Sequence, residues 1–124
     1  MQPVDLRSDT VTRPVPEMRA EMARAALGDE VFGDDPTVNL LQDRAAALLG
    51  KDAALLVPSG TMGNQVALRS HTEPGDEIIV ESNSHIFLYE GGGFAALSGL
   101  SARCVDGTAG VMSPADVRAA VRPP

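Results

Sequence analysis

The stretch VPSGTMGNQVAL, Val57 to Leu68, decides how this chain is read. It follows a continuous apolar run, Ala53–Val57, and leads into apolar residues that resume at helical spacing. An unbroken apolar run of this length predicts a strand buried on both faces. Gly60 or Thr61 to Ser70 reads as the next helix. Between them Ser59, Gly60, Thr61, Gly63 and Asn64 form a polar, glycine-bearing turn. A helix N-terminus presents unpaired N–H groups and the positive end of the helix dipole, so it attracts anions, most often phosphate. The Ser59 and Thr61 hydroxyls add donors. Neither the nucleotide P-loop pattern nor GxGxxG is present. The GxxG spacing of Gly60 and Gly63 also suits an ordinary strand–helix turn with a Ser or Thr cap, and the pattern leaves both readings open.

Outward from this turn the chain alternates strands and helices, which predicts an α/β fold. Upstream, residues 1–15 are polar and irregular, with Pro3 and Pro14. Pro16 and Glu17 suit a helix start, Met18, Met22 and Ala26 form a modest apolar face, and Gly28 is the expected C-cap. Asp35-Pro36 is a strong start for a second helix, lined by Val38, Leu41, Ala45 and Leu48 and ended by Gly50. Downstream, Glu73-Pro74-Gly75-Asp76 reads as a turn and Glu77–Val80 as a short strand. Ser82–Gly93 reads as a loop with one helical turn over His85–Glu90. Leu100–Val105 reads as a third strand. Ser113-Pro114 opens a last helix.

Composition narrows the function. The 124 residues fit one domain or a piece of one, 44% are hydrophobic, and only 3% are aromatic. A net charge of −7 argues against nucleic-acid binding driven by phosphate neutralisation. No apolar run approaches the ~20 residues of a membrane span. The first residues lack the apolar core of a signal peptide, which predicts a cytoplasmic protein. The single cysteine, Cys104, is expected as a buried reduced thiol. His71 reads as a helix-end residue. With His85 it forms no metal-binding spacing, so no metal is expected.

Glu81–Gly93, ESNSHIFLYEGGG, is the second informative stretch. It follows a strand, where α/β sheets bind ligands. His85 there could be an acid/base, a metal ligand, a flat ring stacked on a flat ligand, or simply structural.

Taken together, LRSDTVTRP, GDEVFGDDPT, PSGTMGNQ and SHIFLYEGGG, in this order and over nearly the whole chain, resemble the N-terminal part of the low-specificity L-threonine/L-allo-threonine aldolases. These are close to the β-eliminating lyases and are pyridoxal 5'-phosphate enzymes of the aspartate-aminotransferase fold. The resemblance implies an N-terminal arm, 1–15, and the first part of the large cofactor-binding domain, 16–124. It implies that Gly60 and Thr61, with Ser59 and Asn64, grip the cofactor phosphate. It implies that His85 stacks on the cofactor ring, that Ser8 helps hold the substrate carboxylate, that Tyr89 also takes part in substrate binding, and that Glu90 lies near the site. The implied reaction is retro-aldol cleavage of an amino-acid substrate, threonine, to glycine and acetaldehyde. The general base is left open, with His85 a candidate. A homo-oligomer is implied, with the Asp34-Asp35 loop approaching a partner's site. Two positions depart from the family pattern: Phe32, where a tyrosine is expected, and Val15, where a capping threonine is expected.

The resemblance also places the cofactor lysine, the aspartate that pairs with the pyridine nitrogen and the substrate arginine in later segments. The chain's single lysine, Lys51, precedes the expected strand Ala53–Val57, whereas the phosphate turn follows it. Several extended residues span roughly 15–25 Å, beyond the reach of a lysine side chain. The expectation is therefore an N-terminal portion that is inactive alone. An inactive truncated remnant and a small phosphate-binding α/β module are the alternatives.

Overall fold

A computed structural model describes residues 3–123 as two compact units, one up to Leu56 and one from Val57 onward. The ends of the expected 1–15 and 16–124 segments, residues 1, 2 and 124, lie outside the described residues.

The first unit is helical. Its two α-helices are α1 (Pro16–Arg24) and α2 (Pro36–Leu49), each opened by a proline in the first turn. Short 3-10 turns cover Asp9–Val11 and Glu30–Phe32. Val15 makes no side-chain cap to α1, as its departure from threonine implies. At α2 the Asp35 carboxylate accepts from the backbone N–H of Thr37 and Val38, and Gly50 closes the helix in the left-handed conformation. Gly28 is not the C-cap of α1, because the helix ends at Arg24 with Ala25 as its cap. Its role is steric: a Cβ there would lie 2.2 Å from the Asp34 carbonyl oxygen. Its N–H donates to Asp35 Oδ2 at 3.1 Å. Glycine is therefore required where the loop 28–35 closes on itself.

Ala53–Val57 corrects the expectation of a buried strand. The run belongs to no ladder, and Leu55 and Leu56 are exposed. A strand needs a neighbouring backbone to pair with. Among the described residues the two paired strands lie further along the chain, and the Leu56 N–H is satisfied by a side chain, Gln42 Oε1, at 2.8 Å.

The second unit is a small α/β assembly. It runs α3 (Gly60–His71), β1 (Glu77–Glu81), α4 (His85–Leu88), α5 (Gly93–Ser98), β2 (Ser101–Val105) and α6 (Pro114–Ala120). β1 and β2 pair in parallel, from Glu77 opposite Ser101 to Glu81 opposite Val105. Parallel neighbours need a crossover connection, and α4 and α5 supply it. α5 packs on both α3 and β2, and α6 packs on β2. Leu100, Ala120 and Ser98 form the small buried centre. The α/β class and the helix beginning at Gly60 match the sequence reading. Helix α5 does not: the sequence reading left it unassigned, because it is one and a half turns long and lacks capping side chains. Two left-handed glycines bound it instead, Gly92 and Gly99. Cys104 is exposed rather than buried, because the two-stranded sheet leaves that side of β2 uncovered.

Candidate functional site

The site residues expected from the sequence gather in the second unit, with one exception. Ser8 lies in the first unit. There it caps the 3-10 turn, its Oγ accepting from Thr10 N–H at 3.2 Å and from Thr10 Oγ1 at 2.9 Å.

Ser59 is the N-cap of α3, and its hydroxyl accepts from Met62 N–H at 3.1 Å. In an α-helix the first amides have no partner four residues back. With Met62 N–H taken by the cap, the Gly60 and Thr61 amides and the Thr61 hydroxyl remain to meet an anion. A Cβ added at Gly60 would find nothing within 4 Å, so the space beside the first turn is open. Gly63 is in ordinary contact, its added Cβ 3.5 Å from Val57. The residues present therefore fit a phosphate group at this turn.

One turn further along α3, Asn64 and Gln65 reach into the loop after β1. Asn64 Nδ2 donates to Glu90 Oε1 at 2.6 Å, and Gln65 Nε2 donates to Glu90 Oε2 at 2.9 Å. His85, the first residue of α4, brings Nδ1 to 3.0 Å from the same Glu90 Oε1. The Glu90 side chain is fully buried, whereas the His85 side chain is 64% exposed. Burial pushes the Glu90 carboxyl up. The hydrogen bonds from Asn64, Gln65 and His85, with the charge interaction with His85, outweigh it and hold the group below the ordinary glutamate range. The Tyr89 ring, tilted by 43° and 5.4 Å from His85 centroid to centroid, stands beside the imidazole. The exposed imidazole has room to lie against a flat ligand.

The sequence reading placed Glu90 near the site but gave it no role, and it passed over Gln65. The structure makes Glu90 the common partner of α3 and His85. The five-residue step from His85 to Glu90 across a single helical turn was the available signal. Asn64, expected at the phosphate, has its amide nitrogen committed to Glu90. Gln65 Oε1 and Ser84 Oγ are buried without a hydrogen-bond partner.

A second buried carboxylate sits close by at the end of β1. Glu81 accepts from Asn83 N–H at 2.7 Å and from Gly107 N–H at 3.2 Å, tying the loops after β1 and β2 together. Among the described residues no group of three or more His, Cys, Asp or Glu is gathered to hold a metal ion. No helix there is long and apolar enough to cross a membrane.

The Beta-eliminating lyase family profile matches residues 5–124. The chain is 51% identical over 113 residues to the low specificity L-threonine aldolase of Escherichia coli, covering 91% of this chain and 34% of that protein. It is 47% identical over 123 residues to a probable low-specificity L-threonine aldolase 2 of Arabidopsis thaliana, covering 98% of this chain and 35% of the plant protein. A low specificity L-threonine aldolase of Saccharomyces cerevisiae is 40% identical over 95 residues, 76% of this chain and 24% of the yeast protein. The chain thus spans about a third or less of the length of these relatives.

Proposed function

From the premise that this chain belongs to the Beta-eliminating lyase family, we propose that it is the N-terminal part of a pyridoxal-phosphate-dependent threonine aldolase. The activity is cleavage of L-threonine or L-allo-threonine to glycine and acetaldehyde. One observation carries the reading beyond family membership. Helix α3, whose N-terminal turn offers free amides to a phosphate, and His85, whose exposed ring can lie against a flat cofactor, are joined through one buried carboxylate, Glu90. A phosphate subsite and a ring subsite held in fixed relation suit a ligand that carries both groups.

When bound, the cofactor supplies an electron sink for the carbanion left by Cα–Cβ cleavage. This chain's residues hold and orient. The Gly60 and Thr61 amides, with Ser59 and Thr61 hydroxyls, anchor the phosphate. His85 covers the ring, and Tyr89 flanks His85. Ser8 contributes to holding the substrate carboxylate. Asn64 acts through Glu90. The division into an arm, 1–15, and a cofactor-domain segment, 16–124, belongs to the same reading, as do a cytoplasmic location and assembly as a homo-oligomer. The cofactor lysine lies outside the present 124 residues, so this segment alone is inactive.

The test is direct. The whole protein, supplied with pyridoxal phosphate and either threonine diastereomer, should release acetaldehyde and glycine in equal amounts. The 124-residue segment alone should release neither, and borohydride reduction with cofactor should leave Lys51 unlabelled. Uptake of nucleotides but not of pyridoxal phosphate would favour a phosphate-binding module instead.

A further inference from the structure

The Glu90 carboxylate offers only acceptor atoms. It therefore fixes the protonation pattern of every group that touches it. Asn64 and Gln65 must turn their NH2 groups inward, and this leaves Gln65 Oε1 facing away without a partner. His85 Nδ1, 3.0 Å from Oε1, must carry a proton to make its bond. A neutral imidazole has one N–H, and the bond made by one nitrogen sets the state of the other. We propose that Glu90 is the positioning residue for His85: its buried carboxylate holds the neutral imidazole as the Nδ1–H tautomer, in which Nε2 is a bare acceptor nitrogen. Resting on the aldolase reading, this makes Nε2 the atom that accepts a hydrogen bond from a ligand hydroxyl or a water.

Three features set this arrangement apart from an incidental surface contact. The Glu90 side chain is fully buried and His85 is mostly exposed, so the anchor is rigid and the ring is presented. Oε2 is held by Gln65, and Oε1 is shared by Asn64 and His85, so the carboxylate cannot rotate without breaking bonds on both sides. The Asn64 and Gln65 anchors come from α3, the helix whose first turn is the phosphate subsite. His85 is thereby oriented relative to that subsite and not merely relative to its own loop.

The experiment uses the whole protein labelled with 15N-histidine, without cofactor, at a pH that keeps the ring neutral. Two-bond proton–nitrogen correlations report which ring nitrogen is protonated, and the His85 signal is identified by its loss in His85→Asn. Wild-type His85 should be in the Nδ1–H form, the minor form of an unconstrained histidine. Glu90→Gln should shift the ring towards a mixture, because an amide can face Nδ1 with either a donor or an acceptor. Gln65 can accommodate that variant by turning its unpartnered Oε1 towards the new NH2 group. In the cofactor-loaded enzyme, Glu90→Gln should lower kcat about tenfold to hundredfold with little change in KM. That is the range seen when carboxylates orienting metal-bound histidines are removed. Wild-type His85 in the Nε2–H form would overturn the proposal even if threonine is cleaved. So would a Glu90→Gln enzyme with unchanged tautomer and turnover. Nδ1–H in a protein that takes up no pyridoxal phosphate would uphold the positioning and sink the aldolase reading. If Glu90→Gln fails to fold, the wild-type tautomer still decides.

Discussion

Asp35 and Glu90 are two inward-turned carboxylates, one in each compact unit, and they do opposite things. Asp35 accepts only from backbone amides: Thr37 at 2.9 Å, Val38 at 3.0 Å and Gly28 at 3.1 Å. Glu90 accepts only from side chains, those of Asn64, Gln65 and His85. A carboxylate spent on backbone donors closes a loop and starts a helix, here one oxygen capping α2 and the other holding Gly28. A carboxylate spent on side chains arranges chemistry, since each donor it holds has another face to present. The same functional group builds scaffold at Asp35, as Glu81 does between the loops of the second unit, and a site at Glu90.

The largest expected effect tests the scaffold half of this contrast. In Gly28→Ala the new Cβ would lie 2.2 Å from the Asp34 carbonyl oxygen and 2.7 Å from Asp35 Cα, both backbone atoms that cannot step aside. The loop must open and release the Gly28–Asp35 bond. The loss should be about 3 kcal/mol, the upper end for overpacking, read as a lower urea midpoint at unchanged slope. A midpoint equal to wild type would show that the 28–35 loop closes without this contact.

Next comes Asp35→Ala, which leaves the Thr37, Val38 and Gly28 amides without their acceptor. Hydrogen exchange at Thr37 and Val38 should speed up markedly. Asp35→Asn should fall between, because one oxygen still caps α2 while an NH2 group faces Gly28. Neither variant should change the His85 tautomer. A tautomer that follows Asp35 would break the separation between scaffold and site.

Acid should act on both carboxylates with the same sign but different readouts. Asp35 is held below the ordinary aspartate range by its bonds from Val38 and Gly28, against the opposing effect of burial, with Thr37 adding to them. Glu90 is held low despite burial, by the hydrogen bonds already described. A depressed folded pKa means that the unfolded chain binds the proton more readily. The stability each group contributes is therefore complete above its unfolded value, about 3.9 for Asp and 4.3 for Glu. It is lost as pH falls through the lower folded value. On acidification the Thr37 and Val38 backbone amide signals should report Asp35, and the Asn64 and Gln65 side-chain amides should report Glu90. The stability gap between wild type and Glu90→Gln should shrink over the same range. A gap that stays constant would mean that the charge of Glu90 is not what holds the cluster.

Legibility from sequence follows the same division. Local rules located what local bonds build. Asp35-Pro36 and Ser113-Pro114 mark helix starts, and both carboxylate and hydroxyl caps are in place. The helix after Ser59 begins where the polar turn predicts. What depends on distant partners was misread. Ala53–Val57 has the composition of a buried strand, but composition cannot supply the neighbour that makes a ladder. The short strand expected at Glu77–Val80, by contrast, is present as Glu77–Glu81, because there β2 supplies the neighbour. At the site, His85 and the Ser59–Thr61 turn stood out through residue type and motif. Glu90 was legible only as a neighbour of the site and Gln65 not at all, because their meaning lies in contacts across 25 residues of chain.

The smallest expected effect probes the least conspicuous of those contacts. Gly93 opens α5, and a Cβ there would lie 3.0 Å from the Gln65 side-chain amide. Glycine in a helix costs up to about 1 kcal/mol relative to alanine, so Gly93→Ala should stabilise if nothing stood in the way. The Gln65 amide is not free to swing aside, because its NH2 group holds Glu90 Oε2. It can yield only a few tenths of an ångström before that bond lengthens. Helix gain and crowding should nearly cancel, leaving stability within about 0.5 kcal/mol of wild type, the ordinary spread for a mild substitution. The cancellation can be separated with a double-mutant cycle. In a Gln65→Ala background the crowding is gone, and Gly93→Ala should then become clearly stabilising. His85 should keep its Nδ1–H form in Gly93→Ala, since its bond is to Oε1 and not to the disturbed Oε2. If Gly93→Ala has the same effect in both backgrounds, the Gln65 amide is not pinned. Glu90 would then be held by Asn64 and His85 alone.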